Sequence, residues 1–326
     1  MPKAGFAAII GKPNVGKSTL MNTLIGQKIA ITSYKPQTTR NQIRTIYTDE
    51  NGQIVFLDTP GILKAKDRLG RYMEKSAENA IRDVDVVLWL VEPKAKLSEE
   101  DRSIVRQLAS VKTPVLILIN KIDSVKKAEI LPVIAVYQSA YDEAVREHME
   151  ESEAQGGSAR GSNLKAIIPV SARTGAGTED VLKSLFELLP EGEPFYDEEQ
   201  VTTQTEREIA GEIVREKALR LLQEEVPHGI AVEITTMHFR KAKNGQGEIC
   251  DINADLLCER ESHKGIIIGK GGAMLKKIGT AARIDIENML ETKVNLHLFV
   301  KVRPGWKDDG STLRSLGYDE KKLKNR

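Results

Sequence analysis

Short apolar runs punctuate the first part of the chain, at 6–10, 54–57, 84–91, 115–119 and 166–170. Each is brief and nearly continuous in its hydrophobicity, the pattern of a strand buried on both faces. Between them apolar residues return at helical spacing, as at Leu20, Leu24 and Ile25, and again at Leu69, Met73, Ala77 and Ile81. Strand and helix in alternation predict a doubly wound α/β sheet with right-handed crossovers over residues 1–190. The acidic stretch Pro190-Glu-Gly-Glu-Pro-Phe-Tyr-Asp-Glu-Glu199 breaks the pattern and marks a linker at 191–203. Beyond it, Ile209 to Leu222 reads as a helix. Ala231 to Phe239 and Glu248 to Leu257 read as strands joined by Lys243-Asn-Gly-Gln-Gly247. A glycine-rich turn, a helix through Leu290 and an alternating strand, Val294 to Val302, complete a smaller α+β domain of order α-β-β-α-α-β at 204–326.

The chemistry gathers where the strands end. The first run leads into Gly11-Lys-Pro-Asn14-Val15-Gly16-Lys17-Ser18, which fits GxxxxGK[ST] and opens a helical pattern. Amides from Gly11 through Asn14, Val15 and Gly16 to Ser18 and Thr19, with the helix dipole, can surround phosphate oxygens. Glycine at 11 and 16 permits close approach, Lys17 supplies a point charge for the β- and γ-phosphates, and Ser18 can ligate magnesium. Such a loop does not choose a base, so kinases, ATPases and GTPases all stay open at this point. The run 115–119 ends in Asn120-Lys121-Ile122-Asp123. Asp123 can accept from both guanine N1–H and the 2-amino group, and Lys121 can lay its stem along the base. The run 54–57 ends in Asp58-Thr59-Pro60-Gly61, where Asp58 suits magnesium through water and the Gly61 amide can meet a γ-phosphate. The run 166–170 leads to Ser171-Ala172-Arg173, whose Ala172 amide can reach guanine O6.

In this order the motifs resemble the translation-factor-related GTPases, and specifically the Era family, over nearly the whole chain. The resemblance implies GTP and GDP as ligands and slow hydrolysis, with Lys17, Thr39 and Gly61 at the reacting phosphate. It also implies a magnesium shell of Ser18, Asp58 through water, and Thr39, in preference to Thr38, from Lys35-Pro-Gln-Thr-Thr-Arg40. Ile62 stands where Ras-like enzymes carry a water-orienting glutamine and cannot polarise water. The family then implies backbone groups of the first switch for that task, and a potassium ion held by Asn14. Residues 140–163 depart from the family pattern with a Glu-rich helix-like piece followed by Gln155-Gly-Gly-Ser-Ala-Arg-Gly-Ser162, whose composition suggests a mobile surface loop.

The turn Gly265-Ile-Ile-Ile-Gly269-Lys270-Gly271-Gly272, followed by Lys276 and Lys277, matches the GXXG loop of KH domains, which clamps about four nucleotides of single-stranded RNA. Formal net charge is only +1, but from residue 264 onward 14 Lys and Arg face 7 Asp and Glu, a basic footprint for phosphates. The element order resembles the type II KH fold of Era. That implies, as partners, the 3′ end of small-subunit ribosomal RNA and the small ribosomal subunit, for a chain expected to be a monomer. A metabolic kinase would need a lid and an acceptor pocket in place of the guanine motifs. A nucleotide-gated switch whose C-terminal domain binds a protein partner is the competing reading, and the basic GXXG loop argues against it.

Cys250 and Cys258 are too few for a disulfide framework and lack partners at metal spacing, which fits a reducing cytosol and core packing. His148, His228, His238, His263 and His297 are scattered, against a zinc site. Trp89 is expected in the core; Trp306 could pack the terminal helix or touch RNA, and packing is the favoured reading. The N-terminus has no signal architecture, and the 84–91 run is far below membrane-spanning length. A cytoplasmic protein is expected, with peripheral contact at the inner face of the membrane left open.

Overall fold

The computed structural model describes residues 1–27, 30–31, 40, 43–60, 67–154, 161–223, 229–242 and 247–318, without the side chains of 78 and 80–82. By its contacts the chain falls into two units. The first comprises 1–30, 42–62 and 77–202; the second comprises 31–41, 63–76 and 203–326.

The first unit is built on β1 (Lys3–Gly11), α1 (Lys17–Ile25), β2 (Ile43–Asp49) and β3 (Gly52–Asp58). The helix α2 (Arg68–Arg82), whose residues 68–76 are counted in the second unit, precedes β4 (Val86–Val91), α3 (Glu99–Ser110) and β5 (Val115–Ile119). Then come α4 (Lys127–Ala154), β6 (Leu164–Pro169) and α5 (Thr178–Leu188). The strands form a six-stranded sheet of order β2-β3-β1-β4-β5-β6, parallel except for β2 against β3. Because strand side chains alternate between faces, β4 feeds two cores at once. Val86, Leu88 and Leu90 join Leu20, Leu24, Val181 and Leu185 of α1 and α5. Val87, Trp89 and Val91 join Ile104, Leu108, Tyr137 and Tyr141 of α3 and α4 on the other side. This is the doubly wound architecture expected, and it presents the carboxyl ends of the parallel strands at one sheet edge, where ligands bind such folds.

The expected Glu-rich piece continues from the preceding helix, so that α4 runs 28 residues to Ala154 and passes through Pro132. Residues 155–160 lie outside the described residues. Residues 191–202 run along the first unit: Gln53 accepts from Phe195 N and Tyr196 N at 2.8 and 3.0 Å and donates to the Tyr196 carbonyl at 2.9 Å. The Phe195 ring lies 4.8 Å from that of Phe6.

The second unit contains α6 (Glu206–Leu221), β7 (Ala231–Lys241), β8 (Glu248–Cys258), α7 (Glu261–Ile268), α8 (Ala273–Leu290), β9 (Lys293–Val302) and α9 (Gly310–Ser315). Its sheet has the order β7-β8-β9, with β7 antiparallel and β9 parallel to β8. Ile213, Val214 and Ala218 of α6 and Ile278, Ala282 and Ile286 of α8 cover one sheet face, with Cys250, Ile252 and Leu256 beneath them. At Gly279 a Cβ would sit 3.3 Å from Leu298 Cδ1, so the missing side chain lets α8 lie close on β9. Trp306 is fully buried and donates from Nε1 to the Gly229 carbonyl at 3.0 Å, which makes it a packing residue. The α-β-β-α-α-β order read from the sequence is the order observed, with α9 following it.

Candidate nucleotide and nucleic-acid sites

At the carboxyl edge of the first sheet the phosphate loop joins β1 to α1. Gly16, at φ 104°, caps α1 from the left-handed region, and a Cβ there would come 2.2 Å from Asn120 Nδ2. Glycine is therefore required at 16 on both conformational and steric grounds. Lys17 is buried and donates from Nζ to the Gly11 and Lys12 carbonyls, both at 3.0 Å. Burial pushes its ammonium down to about 8, against the nearby Asp58 carboxylate, which pulls it up. A polyanion seated in the loop would favour the charged form.

Ser18 Oγ donates to Asp58 Oδ2 at 3.1 Å, and Asp58 is fully buried at the end of β3. A hydroxyl beside a buried carboxylate at a helix N-terminus is a hard-oxygen donor set. It fits a magnesium ion, which takes few protein ligands and fills its remaining positions with water and phosphate. Thr59 Oγ1 donates to the Ile9 carbonyl at 2.8 Å and pins this strand end to β1.

The guanine motif is joined to the rest by Asn120, which is 1 % exposed. Its Nδ2 donates to the Val15 carbonyl at 2.7 Å, and its Oδ1 accepts from Ala172 N at 2.8 Å. One side chain therefore ties the phosphate loop, β5 and the Ser171–Arg173 turn into a single site. Lys121 donates to the Asn14 carbonyl at 2.7 Å, and both residues occupy the left-handed region, at φ 67° and 65°. Such conformations in non-glycine residues persist where the surroundings enforce them. Asp123 accepts from Ser171 Oγ at 2.6 Å and pairs with Arg173 at 2.5 Å. The Ser171 hydroxyl above all, with Arg173, holds its carboxyl below the usual range, so it stays an acceptor. Thr23 Oγ1 donates to the Ala172 carbonyl at 2.6 Å, which ties α1 to the same turn.

The structure thus brings together Gly11, Asn14, Val15, Gly16, Lys17, Ser18, Asp58, Asn120, Lys121, Asp123, Ser171, Ala172 and Arg173, with Thr19 in the first turn of α1. Thr39 and Gly61, with Ile62, lie outside the described residues, as do His228, 243–246 and 319–326. Sequence reasoning missed the bridging role of Asn120. It also missed the partners of Lys12: its Nζ donates to Ser98 Oγ and Asp101 Oδ2, each at 2.6 Å, across more than eighty residues of chain. No local spacing rule could have found them.

In the second unit, Gly269, Gly271 and Gly272 all take positive φ, at 72°, 60° and 79°. Beyond the adjoining residues, no protein atom lies within 4 Å of where a Cβ would stand at Gly271 or Gly272, so glycine there answers to the positive φ and not to crowding. Lys270, Lys276 and Lys277 are exposed around the loop. The Ile266 side chain beside it is half exposed, at 50 %. Two further exposed aromatic rings, Phe239 and Phe299, lie on the three-stranded sheet.

A phosphate loop followed in space by a guanine-reading strand end, on a doubly wound sheet and with a KH-like second unit, defines a phosphate-loop GTPase with a KH domain. The family model described as 50S ribosome-binding GTPase matches residues 6–121, and the KH domain model matches 225–307. GTPase Era of Clostridium tetani is 48% identical over 318 residues, covering 98% of this chain and 99% of that protein. GTPase Era of Clostridioides difficile is 45% identical over 322 residues, covering 98% and 100%. A crystal structure of Era in complex with MgGDPNP and nucleotides 1506–1542 of 16S ribosomal RNA superposes with a TM-score of 0.85 at 37% identity, covering 98% of this chain and 99% of that one. A variant of Aquifex aeolicus Era bound to GDP·AlF4− gives 0.84 at 38%, covering 97% and 99%. The chain belongs to the Era family of GTPases.

Proposed function

We propose that this GTPase is a nucleotide-gated, single-stranded-RNA-binding protein that acts on the 3′ end region of small-subunit ribosomal RNA during assembly of the small subunit. The observation that carries the nucleotide half is Asn120 joined to both Val15 and Ala172, because it makes one site of three motifs. GTP phosphates lie on Gly11 and on Asn14 to Thr19, with Lys17 as their cation. Lys121 and Asp123 hold the guanine, with the Ala172 N–H shared between Asn120 Oδ1 and guanine O6, and Ser171 and Arg173 steadying Asp123. Ser18, Asp58 through water, and Thr39 hold magnesium, which when bound neutralises charge on the β- and γ-phosphates. Gly61 meets the γ-phosphate, and Asn14 is the residue that would hold potassium. Residues 1–190 do this work, 191–203 link, and 204–326 bind RNA.

For the RNA half, the open space at Gly271 and Gly272 and the exposed lysines around them support a phosphate clamp. A related Era is known in complex with nucleotides 1506–1542 of 16S ribosomal RNA, and this supports the same class of RNA here. No helix among the described residues is long and apolar enough to cross a membrane. The protein works as a cytoplasmic monomer in this reading, and membrane contact, where it occurs, is peripheral.

Replacing Lys270 and Gly271 together by Asp tests the division of labour. Filter binding with an RNA oligonucleotide ending in the small-subunit 3′ sequence should lose its signal, while phosphate release from GTP continues. Survival of RNA binding would remove this loop from the interface. Binding that a protein partner alone can restore would favour the protein-switch reading.

A further inference from the structure

The connection between β4 and α3 carries none of the motifs named above, yet it holds two lysines of the nucleotide site. Glu92, the first residue after β4, accepts through Oε1 from Lys121 Nζ at 2.6 Å. That same ammonium donates to the Asn14 carbonyl at 2.7 Å. At the other end of the connection α3 begins with a capping box, in which Ser98 Oγ accepts from Asp101 N and Asp101 Oδ2 accepts from Ser98 N at 3.0 Å. Lys12 enters this cap as a further donor, to Ser98 Oγ and Asp101 Oδ2 at 2.6 Å each. Its own backbone carbonyl accepts from Lys17 Nζ at 3.0 Å.

A lysine has a long, rotatable stem, so its ammonium is well placed only if something fixes it. Glu92 does this for the lysine whose stem would lie along the base. Asp101, 6 % exposed, does it for the second residue of the phosphate loop. We propose that the β4–α3 connection is a brace of the nucleotide site, with Glu92 a positioning residue for Lys121 and Asp101 a positioning residue for Lys12. The inference rests on the nucleotide-site reading given under Proposed function.

The Glu92 and Lys121 side chains are 29% and 39% exposed, and a pair so open to water adds little to global stability. A positioning role is therefore read in affinity, not in melting temperature. The test measures GDP affinity by a fluorescent GDP analogue, and KM and kcat for GTP, in the full chain carrying Glu92→Gln, Lys121→Ala or both. Glu92→Gln should raise both the GDP Kd and the KM for GTP by about three- to tenfold while kcat moves by less than about twofold. In the Lys121→Ala background it should add less than about 1.5-fold.

Lys12→Met keeps the Ser98–Asp101 cap. It should weaken GDP and GTP by the same factor, and Asp101→Asn should add little to it, with Lys12→Arg recovering part of the loss. A Glu92→Gln protein that binds GDP like the parent, or one whose loss persists in full without Lys121, overturns the brace on the guanine side. Full additivity of Lys12→Met and Asp101→Asn overturns it on the phosphate side. If Lys121→Ala itself binds GDP like the parent, the site reading beneath the inference is what fails.

Discussion

Asn120→Ala removes one buried side chain and, with it, the partners of two backbone groups, the Val15 carbonyl at 2.7 Å and the Ala172 N–H at 2.8 Å. Each buried group left without a partner costs about 1–3 kcal/mol. Taken at mid-range, the two sum to about 4 kcal/mol, well above the ~1 kcal/mol typical of point substitutions. For a domain of this size each kcal/mol is worth about 2–4 °C, so the first unit should melt roughly 10 °C lower. Asn120→Asp keeps the acceptor for Ala172 but sets a carboxylate against the Val15 carbonyl, and it should recover none of that loss. The chain has two tryptophans, and Trp89 is fully buried in the first unit. In a Trp306→Phe background its fluorescence follows that unit alone. A melting point within about 2 °C of the parent would refute the reasoning, because it would mean that both backbone groups find other partners at little cost.

Asp123→Asn should shift preference from GTP to XTP in competition binding, since the amide donates where the carboxylate accepted and xanthine carries a 2-oxo acceptor; retained GTP preference would count against Asp123 as the base reader. Gly16→Ala should abolish nucleotide binding while leaving the second unit's melting transition in place, because the new Cβ would meet Asn120 Nδ2 at 2.2 Å with φ at 104°; binding at parental affinity would show that the loop accommodates it. Asp251 is held down to about 2 by Arg240 first and Asn295 next. Its folded value lies below the unfolded one, so its contribution to the second unit is complete above about pH 4 and disappears as pH falls towards 2. Asp251→Asn should flatten acid unfolding over that window, followed by circular dichroism.

The central strands were legible because an apolar run with no helical period can only be buried on both faces, and β3, β4 and β5 are buried throughout. The antiparallel edge strand β2, Ile43–Asp49, was not, because its mixture of Arg, Thr and Tyr with two isoleucines carries no such signal. The Glu-rich piece was legible as helical but not as the end of one long helix; α4 runs from Lys127 through Pro132 to Ala154, held to the core by the buried stripe Val133, Tyr137, Tyr141, Ala144 and Val145. Within the site the structure brings Gly16, Lys17, Ser18, Asp58, Asn120, Lys121, Asp123 and Ala172 together, and these residues, named by the motifs, were readable. Glu92, Ser98 and Asp101 were not, because a carboxylate or hydroxyl on a loop looks the same whether it meets water or a lysine from a distant segment. The basic loop of the KH domain was legible for the opposite reason, since its glycines and lysines are contiguous.

The bonds made by Asn120 span 105 residues in one direction and 52 in the other. A polypeptide growing from its N-terminus owns a phosphate loop early, but it cannot close the guanine wall until β6 and the turn at Ser171 have been added. The guanine half of the site is then a late element, complete only when both of these bonds can form. At a hundredfold excess over Kd nucleotide adds about 2.7 kcal/mol to the stability of whatever binds it. That support goes to the folded chain, in which Asn120 holds the phosphate loop and the Ser171 turn together.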